Sequence, residues 1–310
     1  MSESLTTLAW LWVPMTIFAA LAQTVRNTAQ RSLTQQLGTL SATLVRFLYG
    51  LPFAAVWLLL VYALPAQTPA LPHFSLPYLM WIVVGAFFQV AATAALLMAM
   101  KERNFAVAVT LSKTEVLQVA LFSVVLLQEL PTALALGAML LATFGVLLLS
   151  MPPKGQLFTW QAWCSKSALY GLVCGACFAM ATVAFRGGAL VLDAQTPWIS
   201  AGWGVLIAQT LQSLGLGAWI AYRTPQGIAP VFRAWRVSML AGSMGAAASL
   251  AWFSAYAVQR VADVRTLGMI EVVFSYLVSR RVLREHLTRA EKLGITLMVL
   301  GLLLICWQDL

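Results

Sequence analysis

Apolar residues run along this chain in blocks of about twenty, separated by short polar stretches rich in proline, glycine and basic side chains. A helix of roughly 20 apolar residues spans the ~30 Å hydrocarbon core of a bilayer. By that measure the pattern predicts ten transmembrane helices, at 7–25, 38–63, 78–100, 104–127, 132–151, 167–186, 196–222, 235–257, 262–280 and 289–307. Breakers stand between them: Pro65, Pro69, Pro72 and Pro77 after the second, Pro152-Pro153-Lys154-Gly155 at mid-chain, and Pro225, Gly227 and Pro230 after the seventh. No connection is long enough for a soluble domain. The first block follows Met1-Ser2-Glu3-Ser4, with no basic residue and no small-residue cleavage pattern after it, and is expected to stay as a span.

Composition agrees with the pattern and removes other classes. Apolar side chains make up 61% of the chain and charged ones 9%, against about 25% charged in a soluble domain. The net charge of +9 would suggest nucleic acid in a soluble protein, but the charges are too few to coat a surface. They read as topology. Arg26, Arg31, Lys101, Arg103, Lys154, Lys166, Arg223, Arg233, Arg236, Arg280, Arg281, Arg284, Arg289 and Lys292 fall on one side of the predicted spans, and only Arg186, Arg260 and Arg265 on the other. The positive-inside rule makes the first side cytoplasmic and puts both termini on the non-cytoplasmic side.

Cys164, Cys174, Cys177 and Cys306 lie in or beside apolar blocks, which suits packing better than a disulfide framework or a zinc module. Gly171 and Gly175 form a GxxxG pair, and Ala241 to Ser249 is a run of small residues; both are expected to serve close helix packing. Trp10, Trp12, Trp160, Trp163, Trp235 and Trp307 near span ends read as interfacial anchors.

Sliding the chain against itself reveals a repeat at an offset of 156 residues. Over 106–150 against 262–306, 14 of 45 positions match without a gap, including Thr110/Thr266, Glu115/Glu271, Ser123/Ser279, Glu129/Glu285, Thr132/Thr288 and Gly145/Gly301. Leucine pairs arise by composition, but the chain has only ten acidic residues and two pairs of them align. The sequence therefore predicts an all-α, polytopic membrane protein of ten transmembrane helices in two five-helix repeats, 1–151 and 167–310, joined by a linker at 152–166. An odd number of spans per copy inserts the copies in opposite orientations, the inverted repeat of many secondary transporters. The loop after the fourth span has no basic residue while its counterpart, Arg280 to Lys292, has five, as loops on opposite faces should.

The residues that close each half resemble a known signature. Ser123-Val-Val-Leu-Leu-Gln-Glu129-Leu-Pro-Thr132 followed by an apolar helix with Gly145, and Arg281-Val-Leu-Arg-Glu285-His-Leu-Thr288 followed by Gly301, are similar to the ends of the halves of EamA-type transporters of the drug/metabolite transporter superfamily. Arg46-Phe47 resembles the Arg-Phe pair of that family, and Gln128 stands where glycine is usual. The resemblance implies an inner-membrane carrier of small metabolites, often working outward, with ten helices in two inverted halves and no cofactor.

Ionisable groups inside a span cost roughly 2.5–3.5 kcal/mol each on insertion scales and mark pathways or pair with one another. The sequence places four there: Arg46, Lys113, Glu115 and Glu271. Glu115 and Glu271, related by the repeat, are candidates for binding a cationic or zwitterionic substrate or for exchanging a proton. The plainer alternative is a structural network, with Arg46 to one glutamate and Lys113 to the other. Lys113 faces Met269 in the repeat, an asymmetry that suits a substrate with an anionic group. Gln89, Trp252 and Tyr256 are candidate cavity residues. Glu129, Glu285, Thr132 and Thr288 sit at span ends and read as caps, Thr288 and Glu291 fitting a capping box.

The leading expectation is a secondary transporter of amino-acid-like, zwitterionic or organic-acid solutes, with protons as a coupling partner, a small molecule and the lipid bilayer as its partners, and no nucleic acid. An exporter of cationic amphiphiles and a non-transporting helical scaffold are the alternatives. An enzyme is not expected: no HExxH or GxSxG is present, and His73 and His286 fall in loops.

Overall fold

The computed structural model describes residues 10–100, 105–150, 165–283 and 289–308. Most of the predicted linker, Trp160, Trp163, Cys164, Lys101, Arg103, Lys154, Arg284, Glu285, His286 and Thr288 lie outside them. Among the described residues all regular structure is helical. The order is α1 (Trp12–Leu37), α2 (Thr39–Leu48), α3 (Leu51–Ala63), α4 (Leu76–Met100), α5 (Phe105–Ser112), α6 (Glu115–Leu127) and α7 (Ala133–Leu149). Then follow α8 (Lys166–Val191), α9 (Pro197–Arg223), α10 (Ile228–Arg233), α11 (Trp235–Val258), α12 (Val261–Gly268), α13 (Ile270–Leu283) and α14 (Arg289–Trp307).

Every predicted span coincides with a helix or a broken helix pair. Seven of these are long and apolar enough to cross a membrane, among them Thr39–Ala63, which joins α2 to α3, and Val107–Leu127, which joins α5 to α6. Ala133–Leu149 is a shorter apolar helix. The chain is a multi-pass membrane protein.

Two expectations fail at α1. The helix runs twelve residues past the predicted end at 25, so Arg26 and Arg31 belong to it and not to a loop. Thr28 to Leu37 contains no proline or glycine, and a helix continues where its residues allow it, whether or not they are apolar. It stops at Gly38, whose φ of 75° suits glycine. Trp12 is also no interfacial anchor, since it is fully buried, whereas Trp235 and Trp307 are exposed.

Three predicted spans are discontinuous. After α2, Gly50 N–H donates to the Phe47 carbonyl, and Pro52, at the start of α3, has no N–H for the carbonyl four residues back. Between α5 and α6 the Ser112 and Thr114 hydroxyls donate to the carbonyls of Val109 and Leu111, at 2.8 and 2.7 Å. These back-bonds compete with the helical ladder, and Lys113 and Thr114 N–H turn to carbonyls three residues back. In the second half Thr266 donates to the Ala262 carbonyl at 2.7 Å, Gly268 ends α12, and Met269 N–H goes to Thr266. The two half-helices end at Ser112 and Gly268, positions separated by the repeat offset.

The chain packs as two compact units, 1–86 with 184–258 and 87–183 with 259–310. Each unit draws on both predicted halves. In the first, α11 lies along α1 and, with α9, against α2 and α3. Small residues permit this: a Cβ on Gly242 would fall 2.5 Å from Tyr49 Cβ, and one on Gly204 2.9 Å from the Phe253 ring. In the second unit α7 pairs with α14. A Cβ on Gly145 would meet Met298 N at 2.5 Å, and one on Gly301 the Ala138 carbonyl at 2.7 Å. Gly145 and Gly301 are repeat equivalents, so one close crossing uses both copies of the same glycine. The GxxxG pair also packs: Gly171 abuts Ala108 and Gly175 abuts Ser112 and Gln118.

Candidate functional site

The second unit gathers charge at the breaks. Glu115 opens α6 and Glu271 sits in the first turn of α13. A helix N-terminus carries partial positive charge and unsatisfied N–H groups, so a carboxylate is favoured at both places. Lys113 occupies the first break and is half-buried.

The partner of Glu115 is Arg265 of α12, whose Nη2 donates to Glu115 Oε1 at 2.7 Å. The side chains retain 14% and 18% of their exposure, enough enclosure for the pair to resist screening better than a surface one. The sequence had put Arg265 in a loop and offered Arg46 or Lys113 as the counter-ion. It lies instead inside α12, three residues from the helix end. Its repeat equivalent is Val109 and that of Lys113 is Met269, so neither cation is duplicated at the repeat offset.

Asp263, absent from the candidates, is fully buried in the first turn of α12. Arg260 donates to it at 3.1 Å and to the Leu130 carbonyl at 2.9 Å. That ties the loop after α6 to the start of α12. Thr132 closes the same end: it caps α7 by accepting from Ala135 N–H at 3.1 Å and donates to Gln308 at 2.9 Å. The expected cap role of Thr132 therefore stands. Glu129 N–H reaches the Ser123 carbonyl at 3.2 Å.

The first unit has a different interior. Arg26 of α1 is buried, with Nε and Nη2 donating to Asn27 Oδ1 at 3.2 and 2.7 Å. Arg46 sits near the end of α2, its guanidinium 5.1 Å from the Phe47 ring centre. A Cβ on Gly245 of α11 would lie 3.3 Å from the Arg26 stem and 3.6 Å from that of Arg46. One face of α11 continues to Trp252, which donates to Gln23 at 3.2 Å, and to Tyr256, stacked on Trp252 with ring centres 6.0 Å apart. Both aromatics are buried. Arg186, expected in a loop, lies within α8, is buried, and donates to the Tyr256 carbonyl near the end of α11. Gln89, the third cavity candidate, lies in the part of α4 that belongs to the second unit, and its carbonyl accepts from Thr93 at 3.1 Å.

Among the described residues no three His, Cys, Asp or Glu side chains come together as a metal site.

The fold defines a helical membrane protein with charge stored at broken spans. Comparison narrows this further in one region. The family model described as "Magnesium transporter NIPA" matches residues 217–308, a minority of the chain running from late α9 through α14. It includes Arg260, Asp263, Arg265 and Glu271 but not Glu115 or Arg46. No curated protein matches the chain. A solved crystal structure superposes with a TM-score of 0.66 at 18% identity, covering 97% of this chain and 95% of that one. At that identity the likeness is one of fold.

Proposed function

We propose that the chain is a secondary transporter built from two inverted five-helix copies, as in the EamA-type carriers its motifs resemble, with the broken spans α5–α6 and α12–α13 as its working elements. The observation that carries this is the coincidence of the two breaks at the repeat offset, each followed by a carboxylate in the first turn. Discontinuous helices with charged groups at their half-helix ends are the usual ion and substrate sites of inverted-repeat transporters.

In this reading the Glu115–Arg265 pair is the coupling element. A zwitterion presents the same two charges, so its ammonium competes for Glu115 and its carboxylate for Arg265. A proton competes for Glu115 alone. Either arrival opens the pair and frees α6 from α12, which gives a local event two discrete states. Lys113 adds a positive charge beside the first break and biases selection toward solutes with an anionic group. The carrier sits in a cell membrane, the inner one in a two-membrane cell, with both termini away from the cytoplasm.

A second reading, cation transport, is favoured by the NIPA match over 217–308. A metal cation would take the place of Arg265 on Glu115. Against a dedicated divalent site stands the scarcity of clustered donors among the described residues.

Purified protein in liposomes under an imposed pH gradient tests both. Flux of zwitterionic amino acids that disappears in Glu115→Gln and weakens in Glu271→Gln is expected, with Lys113→Met reducing preference for anionic solutes. Magnesium flux with the same dependence would select the second reading. Unchanged flux of every solute in both glutamate variants would remove the proposed site.

A further inference from the structure

Within the first compact unit, three polar side chains from three helices come close to two glycines, and a fourth lies one helical turn from one of those side chains. Arg26 (α1) and Arg46 (α2) lay their stems across Gly245 of α11, 3.3 and 3.6 Å from its Cβ position. Gln209 of α9 reaches the break after α2, with its Oε1 2.7 Å from where a Cβ of Gly50 would lie and the Arg46 carbonyl 3.0 Å from the same point. Ser213 follows one turn after Gln209. Gln209 is 4% exposed and Ser213 7%, and neither Gln209 Oε1 nor Ser213 Oγ has a hydrogen-bond partner. Buried amides and hydroxyls are nearly always satisfied, so two unsatisfied groups one turn apart mark a place where a ligand's polar atoms belong. Any side chain at Gly50 would displace the Gln209 amide, and one at Gly245 would crowd both arginine stems.

Guanidinium groups recognise planar oxyanions through paired N–H donors. The Gln209 amide, turned by 180° about its last bond, presents its NH2 to an oxyanion. The Ser213 hydroxyl also donates. Asn27, accepting from Nε and Nη2 of Arg26, holds that guanidinium in orientation. The unit as a whole is basic: Arg26, Arg31, Arg46, Arg186, Arg223, Arg233 and Arg236 against Glu3 and Asp193.

We infer that Arg26, Arg46, Gln209 and Ser213 form an oxyanion-binding subsite in the first unit, separate from the Glu115–Arg265 pair, that takes a carboxylate or phosphate group. The group belongs either to a soluble metabolite or to the headgroup of an anionic lipid.

The test is equilibrium binding without flux, followed as thermal stabilisation and by calorimetry. Succinate and inorganic phosphate are titrated onto protein in neutral detergent, and protein is compared in discs of neutral lipid with and without phosphatidylglycerol. Tetraethylammonium is the cationic control. Wild-type protein is expected to gain roughly 4 °C or more at saturating anion. Arg46→Gln and Arg26→Gln should weaken the dissociation constant about tenfold or more, and Gln209→Leu severalfold, as expected for losing charge-assisted and neutral hydrogen bonds. Arg46→Lys keeps the charge but not the fork and should fall between, which separates recognition from a mere folding defect. Response to succinate or phosphate identifies a soluble ligand, and response only to phosphatidylglycerol a lipid. The inference fails if no anion stabilises the wild type in either setting, or if every variant responds as the wild type does. A protein that binds succinate but carries nothing upholds this subsite and overturns the transport reading, while the reverse pattern does the opposite.

Discussion

The two compact units solve the same problem of holding polar groups among apolar helices in opposite ways. In the second unit two ion pairs form among the described residues, Glu115 with Arg265 and Asp263 with Arg260. In the first, two arginines donate to neutral groups, Arg26 to Asn27 and Arg186 to the Tyr256 carbonyl. The backbone devices of the second unit are duplicated faithfully, as in the paired breaks and in Gly145 and Gly301. Its cations are not, because Arg265 and Lys113 face Val109 and Met269 across the repeat. The two segments aligned at the offset of 156 residues thus share the breaks and the carboxylates and differ in the counter-charges.

The sharpest way to break the contrast is to unpair the second unit. Arg265→Met leaves a carboxylate enclosed with no counter-ion, and its expected cost is roughly 3 kcal/mol, at the lower edge for buried pairs because both side chains keep some exposure. Adding Glu115→Gln should recover most of that loss, since an amide tolerates the site without a cation. Chemical denaturation in detergent reads both. If the double variant is as unstable as Arg265→Met, Arg265 serves packing and the pair is not the organising contact.

Close packing in the first unit gives the next effect. Gly242→Val puts side-chain carbon against Tyr49 Cβ and backbone, 2.5 to 2.7 Å away before relaxation. Overpacking of this kind costs about 1–3 kcal/mol. Gly137→Ala and Gly215→Ala are controls, because nothing lies within 4 Å of either position. Equal melting temperatures for all three would mean that α11 does not need its thin face.

How much of this was legible beforehand depends on the physical signal each feature leaves. Spans were readable because burial in lipid demands long apolar blocks, whereas the first helix's extension to Gly38 and the break ahead of Pro52, inside the span expected at 38–63, go unforeseen although both carry a backbone signal in residue identity. The break at Lys113 was hidden, since Ser112 and Thr114 act through back-bonds that ordinary helices also tolerate. Its one trace was the repeat itself, which aligns Thr110 with Thr266 just ahead of both breaks. Arg265 and Asp263 were missed for another reason. Charges close to a predicted span end were counted as loop, although Arg260, Asp263 and Arg265 stand on three of six consecutive positions that the helix then brings inside. Glu115 and Glu271 were found because repetition of a rare residue type survives without knowledge of geometry.

A subtler probe of the first unit is Trp252→Phe, which keeps an aromatic ring beside Tyr256 but removes the N–H donated to Gln23 and part of the buried indole. The expected loss is about 1–2 kcal/mol, one neutral hydrogen bond plus a small void. Trp252→Phe that melts with the wild type would show that stacking alone holds this face of α11.

The smallest expected effect has the opposite sign. Gln128 ends α6 at φ 57° and ψ 26°, the left-handed region, and it is the one non-glycine residue with positive φ among the described residues. A side chain there costs roughly 1 kcal/mol relative to glycine, while glycine also loses more freedom on folding, which offsets part of the gain. The Glu129 N–H bond to the Ser123 carbonyl is made by the backbone and survives the change. Gln128→Gly is therefore expected to raise the melting temperature by a degree or two, a shift of roughly half a kcal/mol. The Gln128 side chain makes one local bond of its own, Nε2 to the Val125 carbonyl at 3.1 Å, exposed and worth little. A fall in melting temperature would show that this bond outweighs the backbone strain.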